Sequence, residues 1–163
     1  MIRALFPGTF DPIHYGHIDI VVRASKIFDE IVVAVYEKPS KNLFFTPEER
    51  FYLTKSAFHE YKNVRVLQYN GRTVAFAKEI GAKVIVRGLR VISDFEHEFR
   101  MALANKHLDP ELEYAALITN EHYAYLSSSI VKEIASLGGD VSGMVPKVVK
   151  DSLTNRFATL NDD

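Results

Sequence analysis

Apolar residues along this chain alternate between two rhythms. Short runs rich in branched side chains, at 4–6, 31–36, 64–69, 83–86 and 114–119, predict five strands. The run at 31–36 is unbroken, as expected of a strand buried on both faces. Between the runs, apolar positions three and four apart predict helices. Ile18, Val21, Val22, Ala24, Ile27 and Phe28 mark the first, and Phe51, Leu53, Ala57 and Phe58 the second. Residues 73–80 predict a short helix stopped by Gly81. Ile130, Val131, Ile134 and Leu137 mark one that ends at Gly138-Gly139. Pro146 begins the last, with Val145, Val148, Val149, Leu153 and Phe157 near one face.

Two helix starts are written out. Thr46-Pro47-Glu48-Glu49 predicts an N-cap, a proline at the first position and a capping box. Ser93-Asp94-Phe95-Glu96 predicts a second capping box, opening a helix to about Asn105. Strands alternating with helices mean a parallel sheet covered on both faces by right-handed crossovers. The expectation is a doubly wound, five-stranded α/β fold, a single domain over 1–163 with a frayed polar tail at 158–163.

Composition narrows the function. The net charge of −1 argues against a dedicated nucleic-acid binder, which would carry a basic excess. Cysteine is absent, excluding disulfides, thiolate nucleophiles and cysteine-ligated metal. No apolar run approaches the roughly 18 residues of a membrane span. Arg3 and the turn at Pro7-Gly8 interrupt any signal-peptide core. The expectation is a soluble cytoplasmic protein.

The chemistry concentrates where strands end. Gly8-Thr9-Phe10-Asp11-Pro12-Ile13-His14-Tyr15-Gly16-His17 joins the first strand to the first helix. In a parallel sheet that turn lies where ligands bind, and the helix start favours an anion. His14 and His17 add imidazoles beside it; as a zinc site two histidines without a third ligand are weak. Later strand ends carry Lys38, Ser40 and Lys41, then Arg87 and Arg90, then Ser127-Ser128-Ser129. Together they predict an anion-seeking cleft in a near-neutral protein. Each also has a plainer reading. A loop lysine is usually solvated, the arginines could pair with Glu96 or Glu98, and a serine caps a helix. One serine suffices for that, leaving two unexplained. His59, His107 and His122 read as structural or surface residues. There is no P-loop, no Gly-x-Gly-x-x-Gly fingerprint and no Gly-x-Ser-x-Gly elbow.

The first turn and the serine triplet resemble the nucleotidyltransferase superfamily. With Pro39-Ser40-Lys41, Arg87-Gly88-Leu89-Arg90 and Asp94-Phe95-Glu96 in order, the chain resembles the bacterial phosphopantetheine adenylyltransferases over roughly residues 2–157. The resemblance implies a Rossmann-like nucleotidyltransferase fold and reversible adenylyl transfer from ATP to 4′-phosphopantetheine. The products would be dephospho-coenzyme A and pyrophosphate. It also implies Mg²⁺ dependence, a homohexamer and feedback by coenzyme A. Thr9, Lys41, Thr73 and Arg87 would bind phosphopantetheine; family members usually carry an apolar residue where Thr73 stands. Thr9, Phe10, His17, Gly88, Leu89, Arg90, Glu98, Tyr123, Ala124, Tyr125, Leu126, Ser127, Ser128 and Ser129 would form the ATP side. His17 would stabilise the transition state, with Lys41 and Arg90 as further catalytic groups and no protein metal ligands. A sister transferase acting on another phosphorylated acceptor, and a nucleotide sensor without turnover, are the alternatives.

Overall fold

A computed structural model describes residues 1–39 and 43–161. Five parallel strands, β1 (Arg3–Gly8), β2 (Glu30–Tyr36), β3 (Val64–Tyr69), β4 (Val84–Leu89) and β5 (Glu113–Ile118), form one sheet in the order β3-β2-β1-β4-β5. The expected doubly wound architecture is what forms. Period-two alternation splits the core. Ala4, Phe6, Ile31, Val33 and Val35 face one side, together with Ile20 and Val21 of α1 (Tyr15–Ala24). Val131 of α5 (Ser128–Ser136) and Leu153 of α6 (Lys147–Asn161) complete that layer, and α2 (Pro47–Ala57) adds Leu53. Leu5, Val32, Ala34 and Ile85 face the other side, under Val74 and Ala77 of α3 (Thr73–Glu79). A side chain buried this fully contributes about 1.5–3 kcal/mol.

The capping box at Thr46 forms as its sequence predicts. Thr46 N–H donates to Glu49 Oε2 at 2.8 Å, and Glu49 N–H to Thr46 Oγ1 at 3.2 Å. The one at Ser93 does not. Helix α4 (Ile92–Leu108) starts two residues earlier, with Val91 at the N-cap, leaving Ser93 inside it. Asp94 is instead held by Arg90, whose backbone N–H and Nε both donate to Oδ2 at 3.0 Å. A charge-assisted pair outcompetes a neutral cap. Helix α1 also stops at Ala24, short of Phe28, where Ser25 Oγ bonds the Val22 carbonyl. The last helix continues past Ala158, where fraying was expected, to Asn161. Arg156 ties it down by donating to the Phe44 carbonyl at 3.0 Å and pairing with Glu49.

The chain winds from β1 outward to β3, then crosses back to β4 on the other flank. That reversal makes a switch point between β1 and β4. Their ladder runs only through Ala4–Val84 and Leu5–Ile85. Pro7 has no N–H to extend it, and the strand ends part. The parting opens the cleft.

Candidate active site

A cavity of about 430 Å³ fills that parting, lined by the ends of β1 and β4, the first turn of α1 and the start of α5. Arg87 spans its floor. Strand β4 runs through to Leu89, so Arg87 is a strand residue rather than a loop residue. Its Nη1 donates to the Pro7 carbonyl at 2.7 Å, bridging where the backbone ladder has stopped. Its Nε and Nη2 donate to Glu98 Oε1 at 2.9 and 2.7 Å. Tyr114 donates its hydroxyl to the other carboxylate oxygen. Glu98 holds its carboxylate below the ordinary range against the cost of burial, through Arg87 and Tyr114. The ion pair expected as a plain surface alternative is therefore a half-buried part of the site, with Glu98 its buried member. Glu98 is also the one buried residue of α4.

His17 sits at the start of α1 with its ring edge on the cavity. Its Nδ1 accepts the backbone N–H of His14 at 3.3 Å, which assigns the remaining proton to Nε2. The His14 ring stacks on it, centroids 3.7 Å apart, and Phe10 meets it edge-on at 5.1 Å. These surroundings favour the neutral ring. Burial pushes the His17 pKa well below its usual value, with His14, Arg87 and Arg90 adding to the shift. Burial likewise lowers that of His14 to about 3, helped by Arg90. Gly16 makes the stack possible, since a Cβ there would lie 2.9 Å from His14 Cε1.

The serine triplet divides its work. Ser127 caps α5 by accepting the Ile130 N–H at 3.2 Å. Ser128 donates its hydroxyl to the Pro12 carbonyl at 2.9 Å, so one of the two serines left unexplained by capping is structural. Among the described residues Ser129 has no such bond. All three line the cavity, as do Thr9, Phe10, Gly88 and Arg90. Arg90 Nη1 also donates to the Leu126 carbonyl at 2.9 Å, fixing the guanidinium to the segment before the triplet. Leu89, Tyr123, Ala124, Tyr125 and Leu126 do not line the cavity, and Leu126 is fully buried.

A second cavity, of about 520 Å³, adjoins the first and shares Pro7, Gly8, Thr9, Arg87, His97 and Glu98 with it. Its remaining wall is mixed, with Tyr36, Tyr69, Arg72, Met101, Asn105 and Leu108. Thr73 lines it too, its hydroxyl 3.0 Å from that of Tyr69. Lys38 is exposed and lines neither cavity. Ser40 and Lys41 lie outside the described residues. Sequence reading missed Lys132, which lines the first cavity paired with Asp11 at 2.8 Å, and Tyr114 and Arg50 as well. Their partners are too distant in the chain for spacing to show. His59, His107 and His122 are exposed, as expected. No cluster of three or more metal-ligating residues occurs among the described residues.

Two joined cavities at the switch point, with cations and a helix start around one neutral imidazole, suit transfer between two phosphorylated substrates. A family model described as cytidylyltransferase-like matches residues 5–134, which makes the chain a nucleotidyltransferase. A solved putative nicotinate-nucleotide adenylyltransferase from Vibrio parahaemolyticus shares the fold, with a TM-score of 0.73 at 20% identity over 96% of each chain. Sequence relatives are closer. A phosphopantetheine adenylyltransferase from Thermomicrobium roseum is 45% identical, covering 97% of this chain and 96% of its own. Those of Synechococcus sp. and Heliobacterium modesticaldum are each 49% identical, over 94% and 96% of this chain and 97% and 94% of theirs. The chain belongs to the phosphopantetheine adenylyltransferase family. Among the described residues no helix is long and apolar enough to cross a membrane.

Proposed function

We propose that this enzyme carries out reversible transfer of AMP from ATP to the phosphate of 4′-phosphopantetheine. The observation that carries the reading is the pair of cavities meeting at Thr9 and Arg87 beside a neutral His17. ATP takes the cavity with Phe10, Gly88, Arg90 and the serine helix start. The acceptor phosphate sits at the junction, near Thr9 and Arg87, and the family resemblance adds Lys41 to its contacts. Its arm extends along Thr73, Tyr69 and Asn105, where polar side chains can meet amides and Met101 and Leu108 can meet methylenes.

An acceptor phosphate oxygen bonds to the α-phosphorus as the bond to the bridging β-oxygen breaks, and the electron pair leaves with pyrophosphate. No proton need move, so the protein's work is alignment and charge stabilisation. His17 donates its Nε2–H to the α-phosphate oxygen as charge builds there. A neutral donor held in place by Phe10 and the His14 ring needs no reorganisation at that moment. Arg90, Ser129 and the α5 backbone N–H groups hold the leaving pyrophosphate.

Mg²⁺ belongs to the same proposal as a companion of the ATP phosphates. Asp11, Asp94 and Glu98 line the cleft, but each is already paired, with Lys132, Arg90 and Arg87. They do not form a cage for the ion, which the ATP phosphates and water would hold. A homohexamer, a cytoplasmic location and feedback by coenzyme A extend the proposal. The exposed apolar residues Ile92, Phe95, Phe99 and Leu103, all on α4, support self-assembly. Coenzyme A shares the substrate's arm and would compete for the second cavity.

Pyrophosphate release from ATP and Mg²⁺ tests the reading. Release with 4′-phosphopantetheine, and none with nicotinate mononucleotide or with glycerol 3-phosphate and CTP, is expected. Release with a decoy discards the acceptor assignment. ATP binding without any release points to a sensor.

A further inference from the structure

Two buried charges stand at the site, Asp11 in the wall of the first cavity and Arg50 outside that wall. Asp11 is 3% exposed and Arg50 fully buried. Asp11 accepts the Phe45 N–H on Oδ1 at 2.9 Å, and the Phe44 N–H on Oδ2 at 3.0 Å. Lys132 Nζ completes its shell at 2.8 Å. Arg50 has no carboxylate among its hydrogen-bond partners in the described residues. Its Nη1 donates to the carbonyls of Thr9 and Tyr36, each at 2.7 Å, and its Nη2 to that of Glu37 at 3.0 Å. Both side chains therefore bind the turn after β1 to the connection after β2. Arg50 acts on the near flank of that connection and Asp11 on the far one.

The residue caught between these attachments is Phe10. Its φ of 51° lies in the left-handed region, which a bulky side chain occupies only when its surroundings over-determine it. Thr9, just before it, is held through its carbonyl by Arg50. Asp11, just after it, is held by two backbone N–H groups and a lysine. The Phe10 ring folds back over Gly8, where a Cβ would lie 2.7 Å from Phe10 Cζ, and meets the His17 ring at 84°, edge to face. Buried charges are a poor source of stability, because desolvation offsets most of the attraction. Here they fix geometry.

We propose that Asp11 and Arg50 are positioning residues. From either side they clamp Phe10 in its left-handed conformation and so set the His17 ring against the transfer centre. The inference rests on adenylyl transfer being the reaction, yet part of its test does not need turnover.

Asp11→Asn keeps the size of the side chain but replaces one acceptor with a donor facing Phe44 and Lys132. Arg50→Lys keeps the charge but loses the fork that reaches three carbonyls. In Asp11→Asn, the amides of Phe44 and Phe45 should exchange at least tenfold faster, and the imidazole nitrogen signals of His17 should shift in NMR spectra. Both variants should lose 10- to 100-fold in kcat with ATP affinity within threefold of the parent, since small misplacements are costly at a reacting centre. Unmoved His17 signals, or a kcat within threefold of the parent in folded variants, would overturn the clamp. So would equal losses of kcat and ATP affinity, or failure of both variants to fold, because each indicates a purely structural role. A parent protein without turnover would discard adenylyl transfer, while amide exchange and the His17 signals would still decide the clamp.

Discussion

The rings of His14 and His17 lie stacked, with centroids 3.7 Å apart and planes 24° from parallel. A protonated ring in that stack would face a neighbour able to become a like charge, Arg90 nearby, and little water. Both imidazoles are therefore held neutral, and Nε2 of His17 is left as a donor to the cleft.

Keeping these rings neutral has a consequence for stability. In the unfolded chain a histidine takes a proton near pH 6.5, whereas His14 in the folded protein does so only at about 3. Between those values the unfolded state binds more protons, so stability rises with pH and falls on acidification. His14 alone should remove about 1.4 kcal/mol per pH unit below pH 6.5, with His17 acting in the same direction. Denaturant midpoints measured from pH 7 to 5 should show this slope. His14→Asn should flatten it.

Gly16→Ala should disturb both ring and helix start. The added Cβ would meet His14 Cε1 at 2.9 Å and push the stacked ring aside. Overpacking of this kind costs about 1–3 kcal/mol. Thermal unfolding should register that loss, and turnover should drop at least tenfold through the displaced His17.

Helix α4 has one buried latch. Glu98 is its only buried residue, bonded to Arg87 and Tyr114. Glu98→Ala should cost about 2–3 kcal/mol, below the value for fully buried pairs because Arg87 keeps a third of its side-chain exposure. Hydrogen exchange should rise along α4 before it rises in the sheet.

Ile92, Phe95, Phe99 and Leu103 follow one side of that helix and remain exposed. In a homohexamer this stripe would be covered. Light scattering should give a mass about six times that of the chain, and Phe99→Glu should give smaller species. A monomeric parent would discard the hexamer.

Much of this architecture was legible in the chain because its cause is local. Branched runs gave the strands, and Thr46 with Glu49 marked a helix start that forms as read. Ser93 carried the same signal and failed, because Asp94 four residues beyond Arg90 found a charged partner instead. The site was half legible. His17, Arg87, Arg90 and the serine triplet stood at strand ends and do line one cavity. Asp11 and Lys132 stood in stretches that carry the family resemblance but gave no sign of a role, and Arg50 and Tyr114 gave no signal. Asp11 meets Lys132 121 residues away, and Arg50 reaches back 41 residues to Thr9, so only folding brings their roles into view. The order of strands was equally hidden, since alternation of elements does not say on which flank β4 adds.

The neutral Nε2–H donor of His17 is the central claim, and the single-turnover rate of His17→Ala tests it most directly. Loss of an oxyanion donor should slow transfer by about 10²–10³, or roughly 3–4 kcal/mol, with ATP affinity within about threefold of the parent. A rate within threefold of the parent would contradict the account and leave charge stabilisation to Arg90 and the helix start alone.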